Sequence, residues 1–402
     1  MGPPGPAARL GPVEKLDLRP AFQPIVDLRD GAVIGFEALM RSGPAGGELH
    51  SAPALLAAAR REHSMPALDQ AARDAAIQAA ERAGLDAPFS LFLNADPATL
   101  DASLPEWSPT RCMPLVDVTE QALIARPAAT LRALSHLRSA GWGIALDDVG
   151  ADLRSLALMP ILYPDVIKLD LRLLAERAPD DLARIVTAVG AEAERRHAAV
   201  LAEGIDSDDQ LAVARAFGAT LGQGYLLGAP GALPDPLPSP GRPLRLPGGG
   251  GDPSGATPWE RITNWRRPSR TSRRAAAAAA RLLVDQAAEL GRTAIVLVAL
   301  ADESHGPGSI ARYAWLPEQV ALVGVLNAGR AFDGTRVRGG ALAADDPLRG
   351  TGTLVALAPD FAACFVTRQT GPDEWSFAVT YDRDSVVECA LPLMARMEAL
   401  EA

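Results

Sequence analysis

Glu37, Asn94, Asp117, Asp147, Lys168, Glu203 and Gln223 share one setting, because each closes a short apolar run. The runs are Gly35-Phe36, Leu91-Phe92-Leu93, Leu115-Val116, Ala145-Leu146, Val166-Ile167, Val200-Leu201-Ala202 and Leu221-Gly222. Glu120, Asp148 and Asp170 follow within three residues on the same segments. Carboxylates and an Asn brought to one place bind hard divalent cations through oxygen. A Lys and a Gln beside them complete a polar site of hydrolytic character. Stretches that read as helices separate the seven runs, and polar groups at the ends of successive strands are the pattern of a β/α barrel.

Lysine usage points the same way. Of 39 basic residues only Lys15 and Lys168 are lysines, and one of them ends a strand of this set. Lys is a compact ammonium and Arg a wide planar fork. A small site holding water, metal and phosphate needs the former and excludes the latter.

The elements that position these groups are legible. Ala21–Val26 and Ala32–Met40 read as a hairpin turned at Asp30-Gly31, so the first strand runs antiparallel to the second. Strands follow near 89–94, 114–119, 143–148, 164–169, 199–203 and 219–227. Helices are expected at 65–84, 121–140, 152–159, 178–197 and 207–217. This alternation implies a parallel sheet closed as a TIM-like barrel. It supplies seven parallel strands, and an eighth is expected around 45–60.

Charge and composition bound the rest. The 402 residues suit two domains, and the net charge of −10 argues against non-specific binding to duplex nucleic acid or an anionic membrane. Residues 1–256 carry 23 basic and 32 acidic side chains, and residues 257–402 carry 16 and 17, so the acidity belongs to the barrel. An acidic site that takes an anionic substrate needs cations to bridge the two. Cys112, Cys364 and Cys389 lack metal-ligand spacing and read as core thiols in a cytoplasmic, reducing setting. No apolar run reaches membrane-spanning length.

The Pro-rich start, residues 1–16, reads as a disordered leader. Pro234, Pro236, Pro238, Pro240, Pro243 and Pro247 ahead of Gly248–Gly251 read as a semi-stiff spacer and a flexible joint, giving a linker at 230–256. Residues 257–402 form a smaller α/β unit, with a helix at 272–290 that contains six consecutive alanines, Ala275–Ala280. Strands at 294–300, 319–326, 352–357, 361–368 and 375–381 and a last helix at 384–400 complete it. His305 reads as a solvated loop residue. The Arg- and Trp-rich stretch from Trp259 to Arg274 reads as a basic segment docked on the acidic barrel, with Trp packed beneath.

Taken in order, Phe22-Gln23-Pro24-Ile25-Val26, Phe36-Glu37-Ala38-Leu39-Met40-Arg41, Asn94, Val118-Thr119-Glu120, Asp147-Asp148-Val149-Gly150, Ile167-Lys168-Leu169-Asp170, Ala202-Glu203-Gly204 and Gln223-Gly224-Tyr225 carry a resemblance. Residues 17–229 resemble the EAL-domain family of cyclic di-GMP phosphodiesterases. The run Ala362–Arg368 followed by Glu374-Trp375 is similar to the DICT sensory domain over residues 352–396. The first resemblance implies an EAL-type barrel that hydrolyses cyclic di-GMP to pGpG with two Mg²⁺ or Mn²⁺ ions. Glu37, Asn94, Asp117 and Asp147 would hold one ion, and Asp148 would help hold the second with Asp147 bridging. Two hard cations about 4 Å apart share a water, deprotonate it and clamp phosphate oxygens. Lys168, Glu203 and Gln223 would be catalytic, Lys168 contacting the water or the developing charge, Glu203 acting as base or as a ligand to the second ion, and Gln223 orienting water. Arg41, Leu39 and Asp170 would contact the dinucleotide, with Arg41 on phosphate and Asp170 on a guanine edge. Glu120 and Asp206 would position loops. A homodimer through the barrel is a further expectation, and the C-terminal unit would regulate in response to an unidentified signal or partner.

Three positions depart from that family. Asp117 stands where the family usually has Glu, and its shorter side chain withdraws the carboxylate by roughly 1.5 Å, outside the usual tolerance of a metal–ligand distance. Val149-Gly150-Ala151-Asp152-Leu153-Arg154-Ser155 replaces a loop that typically reads Phe-Gly-Thr-Gly-Tyr-Ser-Ser, and Asp206 replaces a Glu. The alternative they imply is a degenerate EAL domain that binds the dinucleotide, or a protein, without turnover.

Overall fold

The structure is a computed structural model that describes residues 17–43, 50–95, 111–251, 255–301, 312–327, 336–371 and 374–398. The leader at 1–16 and His305 lie outside the described residues. Eight strands close a barrel: β1 (Ala21–Asp27), β2 (Val33–Leu39), β3 (Ser90–Asn94), β4 (Met113–Val118), β5 (Gly143–Leu146), β6 (Val166–Asp170), β7 (Ala199–Glu203) and β8 (Leu221–Gly222). β1 is antiparallel to both β2 and β8, and every other neighbour pair is parallel. No eighth parallel barrel strand lies among the described residues of 45–60, where His50-Ser51 pairs antiparallel with Arg41-Ser42 outside the barrel. Residues 52–61 form helix α1 (Ala52–Arg61), and β1 itself closes the ring. The Ala-rich sequence there has helical spacing with Leu55, Ala58 and Ala59 buried on one face.

Strand alternation explains how the sequence aims its polar groups. Ile25, Phe92, Leu115, Ala145, Val166, Leu201 and Leu221 pack together inside the barrel. Asn94, Asp117, Asp147, Lys168, Glu203 and Gln223 each lie two residues after one of them, so the backbone of the strand period turns both to one side. On antiparallel β1 the order reverses, and Gln23 comes two residues before Ile25. An apolar layer thus underlies a polar layer at the C-terminal mouth.

The Pro-rich stretch starts beside the mouth, where Gly231 pairs with Phe22, and runs to the other end, where Pro240 pairs with Val33 and Leu244 and Leu246 pack onto the interior apolar layer. A composition that reads as a free spacer is therefore laid along the barrel as far as Gly251. Spaced leucines between the prolines supply apolar contacts, and Pro suits an extended strap that needs few ladder hydrogen bonds.

Helices α2 (Met65–Arg82), α3 (Glu120–Ala125), α4 (Pro127–Ser139), α5 (Arg154–Leu162), α6 (Leu171–Ala175), α7 (Pro179–Arg196) and α8 (Asp208–Ala216) surround the barrel. No helix among the described residues is long and apolar enough to cross a membrane. Helix α5 is unusual because Ser155 through Leu162 are all buried. A helix apolar on every side needs cover on every side.

The C-terminal unit provides that cover. Its sheet has the order β9 (Ser269–Ser272), β15 (Glu374–Thr380), β14 (Phe361–Gln369), β13 (Thr351–Ala358), β10 (Ile295–Ala299), β11 (Leu322–Leu326), β12 (Arg338–Gly340). The edge strands β9 and β12 escape sequence reading because their residues, Ser-Arg-Thr-Ser and Arg-Gly-Gly, carry no apolar alternation. Helices α9 (Pro258–Thr263) and α11 (Arg383–Met394) cover the face toward the barrel, and α10 (Arg273–Glu289) the opposite face. Leu391 and Met394 of α11 belong to the same continuous core as Leu158 and Ile161 of α5. Arg196 of α7 pairs with Asp384 at 3.0 Å, and buried Arg338 donates to the carbonyls of Ile124 and Ala125 at the end of α3. Trp259 is buried as expected, whereas Trp265 is exposed, and Arg261 pairs with Glu388 of α11 and not with the barrel. All three cysteines are buried.

Candidate active site

Lys168 stands at the centre of the polar layer and is 1% exposed. Its Nζ lies 2.7 Å from Asp117 Oδ2, 2.8 Å from Glu203 Oε1, and 3.2 Å from both Glu37 Oε1 and Asp147 Oδ1. Neighbouring strands bring these groups together from positions far apart in sequence, and β6 faces β2 across the ring. Burial alone would drive the ammonium toward neutrality. The charges of Asp117, Asp147, Glu203 and Glu37 overcome it and hold Lys168 well above its usual range.

The layer has a buried floor and an open rim. Gln23, Glu37, Asp117, Lys168 and Gln223 form the floor. Gln223 donates to Glu37 Oε2 at 2.6 Å and to Gln23 Oε1 at 3.1 Å, and Gln23 donates to the Gly228 carbonyl. Gln23 thus belongs to the site although sequence reading left it out. The signal was its register, because it pairs directly with Glu37 across β1 and β2. Asn94 donates to Glu37 Oε1 at 3.4 Å from the rim, where Asp148 is exposed and Asp147 and Glu203 are partly open. Gly224 lets the chain pass hard against Ile205, since a Cβ there would lie 2.2 Å from the Ile205 carbonyl oxygen.

The carboxylates differ in their electrostatics. Burial opposes the charge on Glu37, but Lys168 and the Gln223 hydrogen bond hold its carboxyl below the ordinary value. Burial raises Asp117 well above its ordinary value despite Lys168. Burial, only partly offset by Lys168, pushes Glu203 up to about 8. Burial and the adjacent Asp147 raise Asp148. Five carboxyl groups surround one ammonium, so the mouth holds more acidic groups than the ammonium can balance. Among the described residues no three of them stand together as a preformed metal cage, because the ammonium draws them around itself.

The remaining expected residues lie around the rim. Arg41 is the second residue beyond β2 and donates to the Met40 carbonyl, and Leu39 ends β2 half-buried. Neither touches the Lys168 cluster. Asp170 accepts the Arg172 backbone N–H and caps α6. Asp206 accepts from the Tyr225 N–H and pairs with Arg172 at 2.9 Å, so it joins the loops after β6, β7 and β8. Glu120 opens α3 buried beneath the loop after β5, and burial pushes its carboxyl up to about 7. In that loop Asp148 has a φ of 55°, a left-handed conformation that Asp tolerates better than most residues. Asp152 pairs with Arg154 at 2.6 Å, and Ser155 Oγ donates to the Asp152 carbonyl, so the altered loop has its own internal ties.

A parallel-stranded barrel with one antiparallel strand and a carboxylate–lysine cluster at its strand ends defines a TIM-like barrel with an acidic, cation-seeking mouth. Residues 10–230 match the family model described as the EAL domain, and the chain belongs to that family. The chain is 30% identical over 227 residues to cyclic di-GMP phosphodiesterase PA2567 of Pseudomonas aeruginosa, a match covering 54% of this chain and 38% of that protein. It is 30% identical over 158 residues to cyclic di-GMP phosphodiesterase RocR of the same organism, covering 37% and 40%. The chain thus spans well under half the length of these relatives. Among solved structures, a PaMucR phosphodiesterase complex with c-di-GMP matches with a TM-score of 0.47 and 25% identity, covering 55% of this chain and 94% of that one. A manganese and cyclic di-GMP complex of Klebsiella pneumoniae BlrP1 matches with a TM-score of 0.45 and 27% identity, covering 56% and 63%.

Proposed function

We propose that the barrel is a divalent-metal-dependent phosphodiesterase that hydrolyses cyclic di-GMP to linear pGpG and is regulated by the C-terminal unit. The observation that carries this reading is the convergence of Glu37, Asp117, Asp147 and Glu203 within 3.2 Å of one buried ammonium at the mouth. The naming of PA2567 and RocR as cyclic di-GMP phosphodiesterases supports the choice of substrate.

The residues fit a pair of divalent cations. Their surplus of carboxyl groups over the one ammonium suits added cations. Asp117 Oδ1 and Gln223 Oε1 are buried without a hydrogen-bond partner, and hard oxygen donors suit Mg²⁺ and Mn²⁺. Glu37, Asn94, Asp117 and Asp147 would hold one ion, and Asp147 with Asp148 the second. When bound, the ions lower the pKa of water and neutralise charge on the phosphate.

The chain's own groups supply the rest. Glu203, at the open rim, takes the proton of the attacking water as general base. Lys168 Nζ, one contact away, stabilises negative charge that develops there. Gln223 and Gln23 fix Glu37 in orientation. Arg41 binds phosphate, Asp170 reads a guanine edge, and Leu39 supplies apolar wall. Incubation of the purified protein with cyclic di-GMP and Mn²⁺ or Mg²⁺ should yield pGpG, and EDTA should stop it. A folded, metal-replete protein that forms no product would overturn the reading.

Asp117 supports a second reading, a receptor that binds cyclic di-GMP without turnover. Its side chain is 1% exposed and its Oδ2 is held by Lys168 at 2.7 Å, on the floor beneath the mouth. Tight dinucleotide binding with no pGpG under either metal would establish that reading.

A further inference from the structure

A sizeable cavity lies away from the barrel mouth. It lies in the C-terminal unit, between α10 and the sheet, with a volume of about 580 Å³. Its origin is visible in the sequence. The six alanines of Ala275–Ala280 give α10 almost no side-chain bulk, and the sheet opposite Ala276, Ala277 and Ala280 offers Gly352. A helix laid on a sheet is held at its spacing by other residues, here Leu283 and Val284 further along α10. The missing side chains therefore leave room that the fold does not fill. Close packing is the rule inside proteins, and a void of this size at a helix–sheet junction is a feature that calls for an occupant.

The walls define the chemistry of that occupant. The floor is apolar and aromatic, with Leu354, Phe365 and Val298 below and half-buried Trp375 at the side. The rim is cationic. Arg273, Arg274 and Arg281 come from α10 and Arg312 from the opposite side, and no described lining residue is acidic. The unit as a whole is almost neutral, so this concentration of one sign is local. Ion pairs elsewhere in the unit use Arg261 with Glu388 and Arg396 with Asp346, whereas among the described residues none of the four rim arginines has a carboxylate partner. Arg273 and Arg274 also occupy the first turn of a 17-residue helix. Two like charges are unfavourable beside the positive end of a helix dipole, and an anion bound between them reverses that penalty. Arginine is suited both to bidentate contact with carboxylate or phosphate and to stacking on a ring.

We propose that this cavity binds a small organic anion with an aromatic body, its ring between Trp375, Phe365 and the alanine face of α10 and its carboxylate or phosphate on Arg274, Arg281 and Arg312. This inference does not rest on the activity proposed for the barrel. It assigns a ligand class to a unit whose signal the sequence left open.

The test uses the full chain and two probes of nearly the same shape, the anion 1-anilinonaphthalene-8-sulfonate and its neutral analogue N-phenyl-1-naphthylamine, titrated by fluorescence and calorimetry. The expected result is one saturable site that prefers the anion by at least about tenfold, roughly the weight of one charged contact. Arg274→Glu/Arg281→Glu should weaken anion binding by at least about tenfold. Arg82→Glu/Arg132→Glu, an equal charge change on exposed barrel residues, should leave it within twofold. Ala277→Trp should fill the space and abolish binding of both probes without a fall in thermal midpoint, which keeps the test decisive if the double reversal unfolds the unit. Equal affinity for the neutral probe, or unchanged anion binding in either cavity variant, would overturn the proposal. Competition by adenosine monophosphate but not by phenylacetate would assign the anion to phosphate, and the reverse to carboxylate.

Discussion

Replacing Lys168 with Met keeps an unbranched side chain of similar length and removes the charge that four carboxylates share. The contacts run from 2.7 to 3.2 Å, and the side chain is 1% exposed. At an effective dielectric constant of about 20, one such contact near 3 Å is worth about 5 kcal/mol of attraction. Most of that offsets the cost of taking the ions out of water. Breaking a buried pair still costs about 3–5 kcal/mol, because the partner charges are left uncompensated. The expected loss in urea unfolding at pH 8 with EDTA is therefore about 3–5 kcal/mol, out of a total of about 5–15 for an ordinary protein. With saturating Mn²⁺, the ion replaces part of the missing positive charge, and more than half of the deficit relative to wild type should disappear. A loss below about 1 kcal/mol in EDTA, or an equal loss with and without Mn²⁺, would refute the idea that charge balance organises the site.

Other expectations concern single groups. Glu203→Gln should lower kcat by about a hundredfold or more while cyclic di-GMP binding holds, since it removes a base and little contact surface; a parallel loss of binding in a folded variant would make Glu203 structural. Asp117→Glu should lower the Mn²⁺ concentration for half-maximal rate by about tenfold if the short side chain is what limits the ion's hold, and a raised requirement would show that Asp117 is already well placed. For Glu120, burial lifts the folded carboxyl to about 7 from 4.5. A carboxyl raised by folding favours the native state below its unfolded pKa and ceases to do so as pH climbs through 7. Glu120→Gln should therefore gain about 2–3 kcal/mol relative to wild type between pH 5 and pH 8, and a flat difference across that range would contradict the assigned burial.

The barrel was readable because each strand repeats one local rule: an apolar residue, a spacer, then a polar group on the same side. Leu115 with Asp117 and Val166 with Lys168 show it plainly, and the rule also fixes which side faces inward. What escaped depends on contacts that no local pattern announces. Gln23 reads as ordinary until its partner across the hairpin is known to be Glu37. The Pro-rich stretch has the composition of a spacer, and only the barrel's open end gives Leu244 and Leu246 somewhere to go. Helix α5 did carry a signal, since Leu156-Ala157-Leu158-Met159-Pro160-Ile161-Leu162 has no polar face, but the identity of its second cover lies more than two hundred residues away in α11.

That helix also imposes an order of assembly. Synthesis runs from the N-terminus, so β8 emerges and the barrel can close at residue 222 while α11, which begins at Arg383, is still unmade. During that interval the flank of α5 that meets α11 faces solvent, and the carbonyls of Ile124 and Ala125 lack the guanidinium of Arg338. The nascent barrel is therefore sticky on one side until α11 is made. A ribosome that pauses between these points holds a barrel with that flank open, and a nonsense codon ahead of Arg383 leaves the flank open for good.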